Sequence, residues 1–112
     1  MWKSFIVVEE DAVVSEDLRE ALSERFSNAD VSVFSALGVA LDHIATLNTP
    51  PTVLINWPYR ELLESAIDSL VHERGGRIVV TRGPGRDVEM LPQHWIKLPA
   101  PFSTDIMLNA VS

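Results

Sequence analysis

Val53-Leu54-Ile55-Asn56-Trp57 is a short apolar run that contains one amide near its end and soon meets Pro58. Because the run follows Pro50 and Pro51 and is apolar up to the amide, it predicts a strand that is buried on both faces of a parallel sheet. In such sheets, polar side chains at the carboxyl end of a central strand lie where ligands and chemistry are found. Asn56 occupies that position, so its amide is the first candidate for a functional group.

The segments on either side of this strand alternate between short apolar runs and amphipathic stretches. We predict further strands at residues 5–8, 31–34, 77–81 and 95–98. We predict helices from 12 to 26, from the cap Ser35 to 47, from Pro58 to a stop at Gly75-Gly76, and after the cap Ser103. In the last helix, Ile106 and Leu108 are expected to face inward. Five strands that alternate with helices predict an α/β three-layer sandwich with a parallel sheet in the order 2-1-3-4-5.

Composition limits the classes of protein that this chain can belong to. It has 112 residues, no cysteine, a net charge of -7 and a pI near 4.8. We therefore expect one domain over residues 1–112, with no disulfide and no binding to nucleic acid or an anionic membrane. The start lacks the pattern of a signal peptide, and no segment is long and apolar enough to span a bilayer. We expect a cytoplasmic protein.

Polar residues follow three of the predicted strands. Glu9, Glu10 and Asp11 come after the first strand, Asn56 after the third, and Thr81 ends the fourth. Because the carboxyl ends of parallel strands share one edge of a sheet, we expect these side chains to converge. Glu9, Glu10 and the Asn56 carbonyl could hold Mg²⁺, which prefers oxygen ligands. The carboxylates could equally favour the amino end of the following helix without any metal.

Four segments together carry a resemblance to a known family: Val7 to Asp11, Pro50 to Asn56, Ile78 to Thr81, and Leu98 to Phe102. Over essentially the whole chain, the pattern resembles the receiver domain of two-component response regulators, the flavodoxin-like fold of the chemotaxis regulator. The resemblance implies that Glu9 and Glu10 are the acidic metal-binding pair, with Asp11 as the alternative if the register slips by one. It also implies that Asn56 stands at the place of the phosphoacceptor aspartate.

Two positions in the later segments also depart from the family pattern. By the resemblance, Thr81 is the switch hydroxyl, Lys97 lies where the family carries a switch aromatic residue, and Ala100 replaces the family's lysine. Arg82, next to Thr81, could swing over the acidic residues and neutralise them, or it could bind an anion. An amide is not a nucleophile for phosphoryl transfer, and alanine offers no charge to the phosphoryl oxygens. The resemblance therefore implies a receiver whose chemistry has been removed.

These departures predict a stand-alone degenerate receiver without an output domain, which is not an enzyme, needs no cofactor and acts through protein–protein interaction. We expect protein partners of a signalling pathway, with a homodimer as an open alternative, on a surface that presents Trp95, Lys97, Phe102 and the loop 82–86. Two other functions stay open, namely a phosphorelay receiver that takes phosphate by an unusual route, for example on Asp11, and a sensor of small ligands or anions. The three histidines have no metal-ligand spacing; they are His43, His72 and His94.

Overall fold

A five-stranded parallel sheet organises the chain. The computed structural model describes residues 3–81, 91–98 and 102–112. Within these ranges the strands are β1 (Ser4–Val8), β2 (Asp30–Phe34), β3 (Pro51–Ile55), β4 (Arg77–Val80) and β5 (Ile96–Lys97). Their order is β2-β1-β3-β4-β5, and each neighbouring pair is parallel. The predicted sheet and strand order are confirmed, although β4 and β5 are shorter than predicted.

Helices cover both faces of this sheet. They are α1 (Ala12–Arg25), α2 (Leu37–Ala45), α3 (Tyr59–Glu64), α4 (Ile67–Glu73) and α5 (Thr104–Val111). The prediction of one continuous helix after Pro58 is wrong, because the chain breaks at Ser65. The Ser65 hydroxyl donates to the Leu62 carbonyl at 2.7 Å and accepts from the Ile67 N–H at 3.3 Å. Such local side-chain bonds offer the backbone an alternative to the helix, and here they divide it into α3 and α4.

Two apolar clusters lie on opposite faces of the sheet, and alternate residues of β1 separate them. Ile6 and Val8 face a cluster with α2, α3 and α4, while Phe5 and Val7 face a cluster with α1 and α5. Every residue of β1 is buried, as is nearly all of β3. This pattern is typical of central strands in a sheet with helices on both sides, and it confirms the predicted three-layer sandwich.

The helix caps and inward positions agree only in part with those predicted from the sequence. The Ser103 hydroxyl accepts from the Ile106 N–H at 3.2 Å, so the predicted cap of α5 is confirmed. Inside α5, however, Met107 is buried and Ile106 is 42% exposed, so the predicted inward position of Ile106 is wrong. The predicted cap of α2 is also wrong, because its N-cap is Ala36 and no side chain bonds there.

The turn between α4 and β4 depends on two glycines. Gly75 has a φ of +69°, a left-handed conformation that favours glycine and commonly ends a helix. A Cβ on Gly76 would lie 2.2 Å from the carbonyl oxygen of Pro51, so the turn passes directly against the start of β3. The predicted helix stop at these glycines is confirmed. Among the residues that the structure describes, no helix has the length and apolar character needed to cross a bilayer.

Candidate functional site at the carboxyl edge of the sheet

Backbone hydrogen bonds continue one residue beyond three strands and bring their polar ends together. Asn56 N–H donates to the Val8 carbonyl at 3.0 Å, and Thr81 N–H donates to the Ile55 carbonyl at 3.0 Å. The Glu9 N–H likewise donates to the Phe34 carbonyl at 3.0 Å. The carboxyl ends of β1, β3 and β4 therefore meet at one edge.

Glu9 and Asn56 contact each other directly at this edge. The Asn56 side-chain nitrogen donates to Glu9 Oε1 at 3.1 Å. Glu9 is only 4% exposed, and its Oε2 is buried with no hydrogen-bond partner in the part of the chain that the structure describes. Burial raises the pKa of the Glu9 carboxyl, and nearby Asp11 and Glu10 raise it further, although the Asn56 hydrogen bond opposes them. The Asn56 amide thus partly offsets the cost of burying the Glu9 carboxylate.

Asp11 differs from its acidic neighbours because its side chain binds the start of α1. Its Oδ1 accepts from the backbone N–H groups of Val13 at 2.9 Å and Val14 at 3.2 Å, so it is the N-cap of α1. This bond satisfies N–H groups that have no partner within the helix. The acidic run therefore divides, since Glu9 and Glu10 line the site and Asp11 caps the helix.

A cleft of about 420 Å³ opens beside Asn56. Its described lining consists of Glu9, Glu10, Asn56, Trp57, Pro58 and Glu61. These residues supply three carboxylates, one amide and one indole, and none of them is basic. The Trp57 Nε1 is buried without a hydrogen-bond partner within residues 3–81, 91–98 and 102–112. Sequence reasoning missed the contributions of Trp57 and Glu61, although both follow Asn56 closely in the chain.

The predicted magnesium ligands fit such an ion only in part. Mg²⁺ requires near-octahedral coordination by oxygen. Glu9 and Glu10 offer two carboxylates, but one oxygen of Glu9 already faces the Asn56 nitrogen. Among the described residues, no group of three or more histidine, aspartate or glutamate side chains is placed to hold a metal ion. A magnesium site at Glu9, Glu10 and Asn56 therefore stays a prediction.

The other predicted site residues are divided between the described and undescribed parts of the chain. Thr81 is half-buried at the end of β4. Lys97 pairs with Val80 in the sheet, and its Nζ donates to the Pro92 carbonyl at 3.0 Å, so its charge is directed toward the segment before β5. Arg82 and Ala100 lie outside the described residues, and their predicted roles stay predictions.

A second polar cluster lies at the amino edge of the sheet and was not predicted. Trp95 Nε1 donates to Asp68 Oδ1 at 2.7 Å, and His94 Nε2 lies 2.8 Å from the same oxygen. Burial would raise the pKa of Asp68, but the hydrogen bonds from Trp95 and His94 outweigh it and lower that pKa. The ring of His72 is 6.4 Å from that of His94.

This cluster attaches the segment before β5 to α4. Trp95 is only 3% exposed, so the prediction that Trp95 is presented at the surface is wrong. The reason is that the Asp68 carboxylate satisfies the indole N–H and lets the ring pack inside. No pattern in the sequence indicates this contact, because 27 positions separate the two residues.

Solved structures share this fold, whereas sequence comparisons find nothing. No protein-family model and no curated protein matches the sequence. The structure is similar to a response regulator receiver protein from Dyadobacter fermentans, with a TM-score of 0.72 and 15% identity over 99% of this chain and 95% of that one. It is also similar to the chemotaxis protein CheY4 of Vibrio cholerae, with a TM-score of 0.73 and 10% identity over 99% and 97%.

A third similar structure is the pilus assembly protein CpaE from Caulobacter crescentus, with a TM-score of 0.68 and 18% identity over 96% of this chain and 95% of that one. Identities this low show the fold alone. The predicted flavodoxin-like fold is confirmed, and it is the fold of response regulator receivers.

Proposed function

We propose that the chain is a degenerate receiver of two-component signalling, which acts by binding protein partners and takes no phosphoryl group on Asn56. The observation that carries this proposal is the hydrogen bond from the Asn56 amide to Glu9 Oε1. In this bond the group at the end of β3 acts as a donor to a carboxylate. A phosphoacceptor aspartate at the same position would be a second carboxylate and would require a cation between the two.

The chemistry of the amide supports the absence of phosphorylation. An acyl phosphate forms when a carboxylate oxygen attacks phosphorus. The carbonyl oxygen of an amide carries no full charge, and its nitrogen lone pair is delocalised, so neither atom is an adequate nucleophile. The sequence also has Ala100 where the resemblance implies a lysine, which would remove the cation beside the phosphoryl oxygens.

The two alternative functions have less support. Asp11 is the aspartate of the acidic run, but one of its oxygens caps α1 through Val13 and Val14. Phosphorylation of Asp11 would turn its carboxylate into an acyl group without charge, which is a weaker acceptor for the cap of α1. A sensor of small anions would need positive charge, whereas the described lining of the cleft has three carboxylates.

The similar structures are consistent with a module that works through partners. Those proteins include a response regulator receiver, a chemotaxis protein and a pilus assembly protein, so one fold occurs in differently named processes. For this chain we propose protein partners in a signalling pathway, a cytoplasmic location and no enzymatic activity. A homodimer is the alternative partner.

Intact mass spectrometry tests the absence of phosphorylation. The protein is incubated with Mg²⁺ and a small phosphodonor such as acetyl phosphate, beside a receiver that has an acceptor aspartate and shows that the donor is active. We expect no added phosphate on this chain. A stoichiometric adduct that hydroxylamine removes would contradict the proposal. The double variant Asn56→Asp with Ala100→Lys is expected to gain an adduct, because it restores the nucleophile and the cation.

A further inference from the structure

We infer that the cleft beside Asn56 binds an arginine side chain of a partner protein, together with a carbonyl of the partner's backbone. This inference rests on the proposed function, because a phosphorylated receiver would need the same cleft for its phosphoryl group and metal. It goes further by stating the chemistry of the partner and the residues that recognise it.

Two buried polar atoms of the cleft lack a partner within the described part of the chain. One is Glu9 Oε2, an acceptor on a side chain that is 4% exposed. The other is Trp57 Nε1, a donor. Both residues line the same cleft. Buried polar groups are nearly always hydrogen-bonded in native proteins, and an exception asks for an explanation. A ligand that presents both a donor and an acceptor would satisfy both atoms if the two side chains turn toward the cleft, since both atoms are buried from solvent.

The charge of the cleft selects a cation as the donor. Glu9, Glu10 and Glu61 supply three carboxylates, and the described lining contains no lysine or arginine. A positive group in this cleft would be attracted by these carboxylates, and it would offset the cost of burying the charge of Glu9.

The shape and the unpaired donor select arginine among the cations. A guanidinium is planar, has five donors, pairs with carboxylates in a two-bond geometry and stacks on aromatic rings such as that of Trp57. A bare metal ion or a polyamine would leave the Trp57 N–H without an acceptor, whereas the peptide that carries an arginine has carbonyl groups. The cleft of about 420 Å³ is also in the usual range of ligand pockets, roughly 300 to 1,000 Å³.

Nuclear magnetic resonance of the indole N–H signals tests this directly, because the chain has three tryptophans and the Trp57→Phe variant identifies the signal of Trp57. The probe is N-acetyl-arginine methylamide, which carries a guanidinium and two carbonyls. We expect a saturable shift of the Trp57 indole signal. The citrulline analogue has nearly the same shape without the charge, and we expect it to bind at least about tenfold more weakly, since ionised pairs form the stronger bonds.

Variants assign the binding to this cleft. Glu9→Gln keeps an oxygen that can accept from Asn56 but removes the charge, and Glu61→Gln changes an exposed residue of the lining. We expect each to weaken arginine binding, with the larger loss, about tenfold, for Glu9→Gln. Glu24→Gln is the matched control, because Glu24 is an exposed glutamate of α1 away from the cleft lining, and its affinity should equal that of the wild type.

Three results with the two probes and the control variant would overturn the inference. They are no shift with the arginine probe, an equal affinity for the citrulline probe, and an equal loss of affinity in Glu24→Gln. Displacement of the arginine probe by Mg²⁺ at equal concentration would also overturn it, in favour of a metal site. If the probe does not bind and no phosphate adduct forms, only this inference fails; an adduct on the wild-type protein would refute the proposed function itself.

Discussion

Replacement of Asn56 by aspartate should convert the central hydrogen bond of the site into a repulsion. The Asn56 nitrogen lies 3.1 Å from Glu9 Oε1, and the Glu9 side chain is 4% exposed. In Asn56→Asp an oxygen takes the place of the nitrogen at nearly unchanged shape. Two carboxylates then share a poorly hydrated position, where one of them should hold a proton well above its ordinary pKa.

The cost of this change combines two effects. A hydrogen bond to a charged group contributes roughly 1.5 to 3 kcal/mol, and that contribution is lost. Two unit charges about 4 Å apart repel by up to about 4 kcal/mol at an effective dielectric constant near 20, although proton uptake and the open cleft reduce this. We therefore expect Asn56→Asp to lower the free energy of unfolding by about 3 kcal/mol near pH 8, a large share of the 5 to 15 kcal/mol typical of a domain.

Urea unfolding measures this difference. With a slope of about 2 kcal/mol per molar urea, the midpoint should fall by about 1.5 M near pH 8. Because a carboxyl pKa is raised in the folded variant, protonation at low pH stabilises the folded state, and this stabilisation is lost as the pH rises through that pKa. The difference in stability between Asn56→Asp and the wild type should therefore shrink below about pH 5. Mg²⁺ should also reduce it, because the variant has a carboxylate in place of the amide at position 56.

Asn48→Asp is the control, since it adds the same charge on an exposed loop and should have little effect. If Asn56→Asp is as stable as the wild type near pH 8 without metal, the contact between Asn56 and Glu9 does not organise the cleft.

Three other substitutions test the site and its supports. Glu9→Gln removes the carboxyl group whose pKa is raised in the folded protein. In the wild type, the stability due to Glu9 is fully present below the ordinary pKa of 4.5 and is lost as the pH rises through the folded pKa. Urea unfolding of the variant should therefore show a flatter pH profile than that of the wild type. Gly76→Ala should cost about 2 to 3 kcal/mol in thermal unfolding, because its Cβ would lie 2.2 Å from the Pro51 carbonyl, whereas Gly38→Ala meets nothing within 4 Å and should be neutral or stabilise by about 0.5 kcal/mol. Asp11→Ala should cost about 1 kcal/mol through the lost cap of α1, and an unchanged stability would show that water replaces the cap.

The fold could be predicted because its determinants are local and repeat along the chain. The apolar run from Val53 to Ile55 has no polar residue, and such a strand has to be covered on both faces. Alternation of strand and helix then leaves few arrangements, since parallel crossovers are right-handed. The break at Ser65 escaped prediction because the apolar pattern continues through it, and one hydroxyl decides between a helix and a turn.

The site was predictable in position but not in its pairings. That Glu9 and Asn56 share the edge follows from strand order, but the division of the acidic run between the cleft and the cap of α1 does not. Asp11 directly precedes Ala12, and its side chain caps α1. The contact of Trp95 with Asp68 joins distant parts of the chain, so no local pattern could indicate it.

The fold does not depend on the amide of Asn56, because this side chain lies at the carboxyl edge of the sheet and outside the apolar core. β1 and β3 are held by buried apolar side chains and by backbone pairing, and neither depends on the side chain at position 56. The Glu9 carboxylate does depend on it, since Oε1 accepts from the Asn56 nitrogen and the buried Oε2 has no partner in the described part of the chain. A donor at position 56 stabilises the Glu9 carboxylate without a metal, whereas an acceptor there would make the site depend on a bound cation. We therefore propose that the nitrogen of Asn56 suits this edge of the sheet to the basic side chain of a partner, whereas a carboxylate there, together with a lysine at position 100, would suit it to a phosphoryl group and its metal.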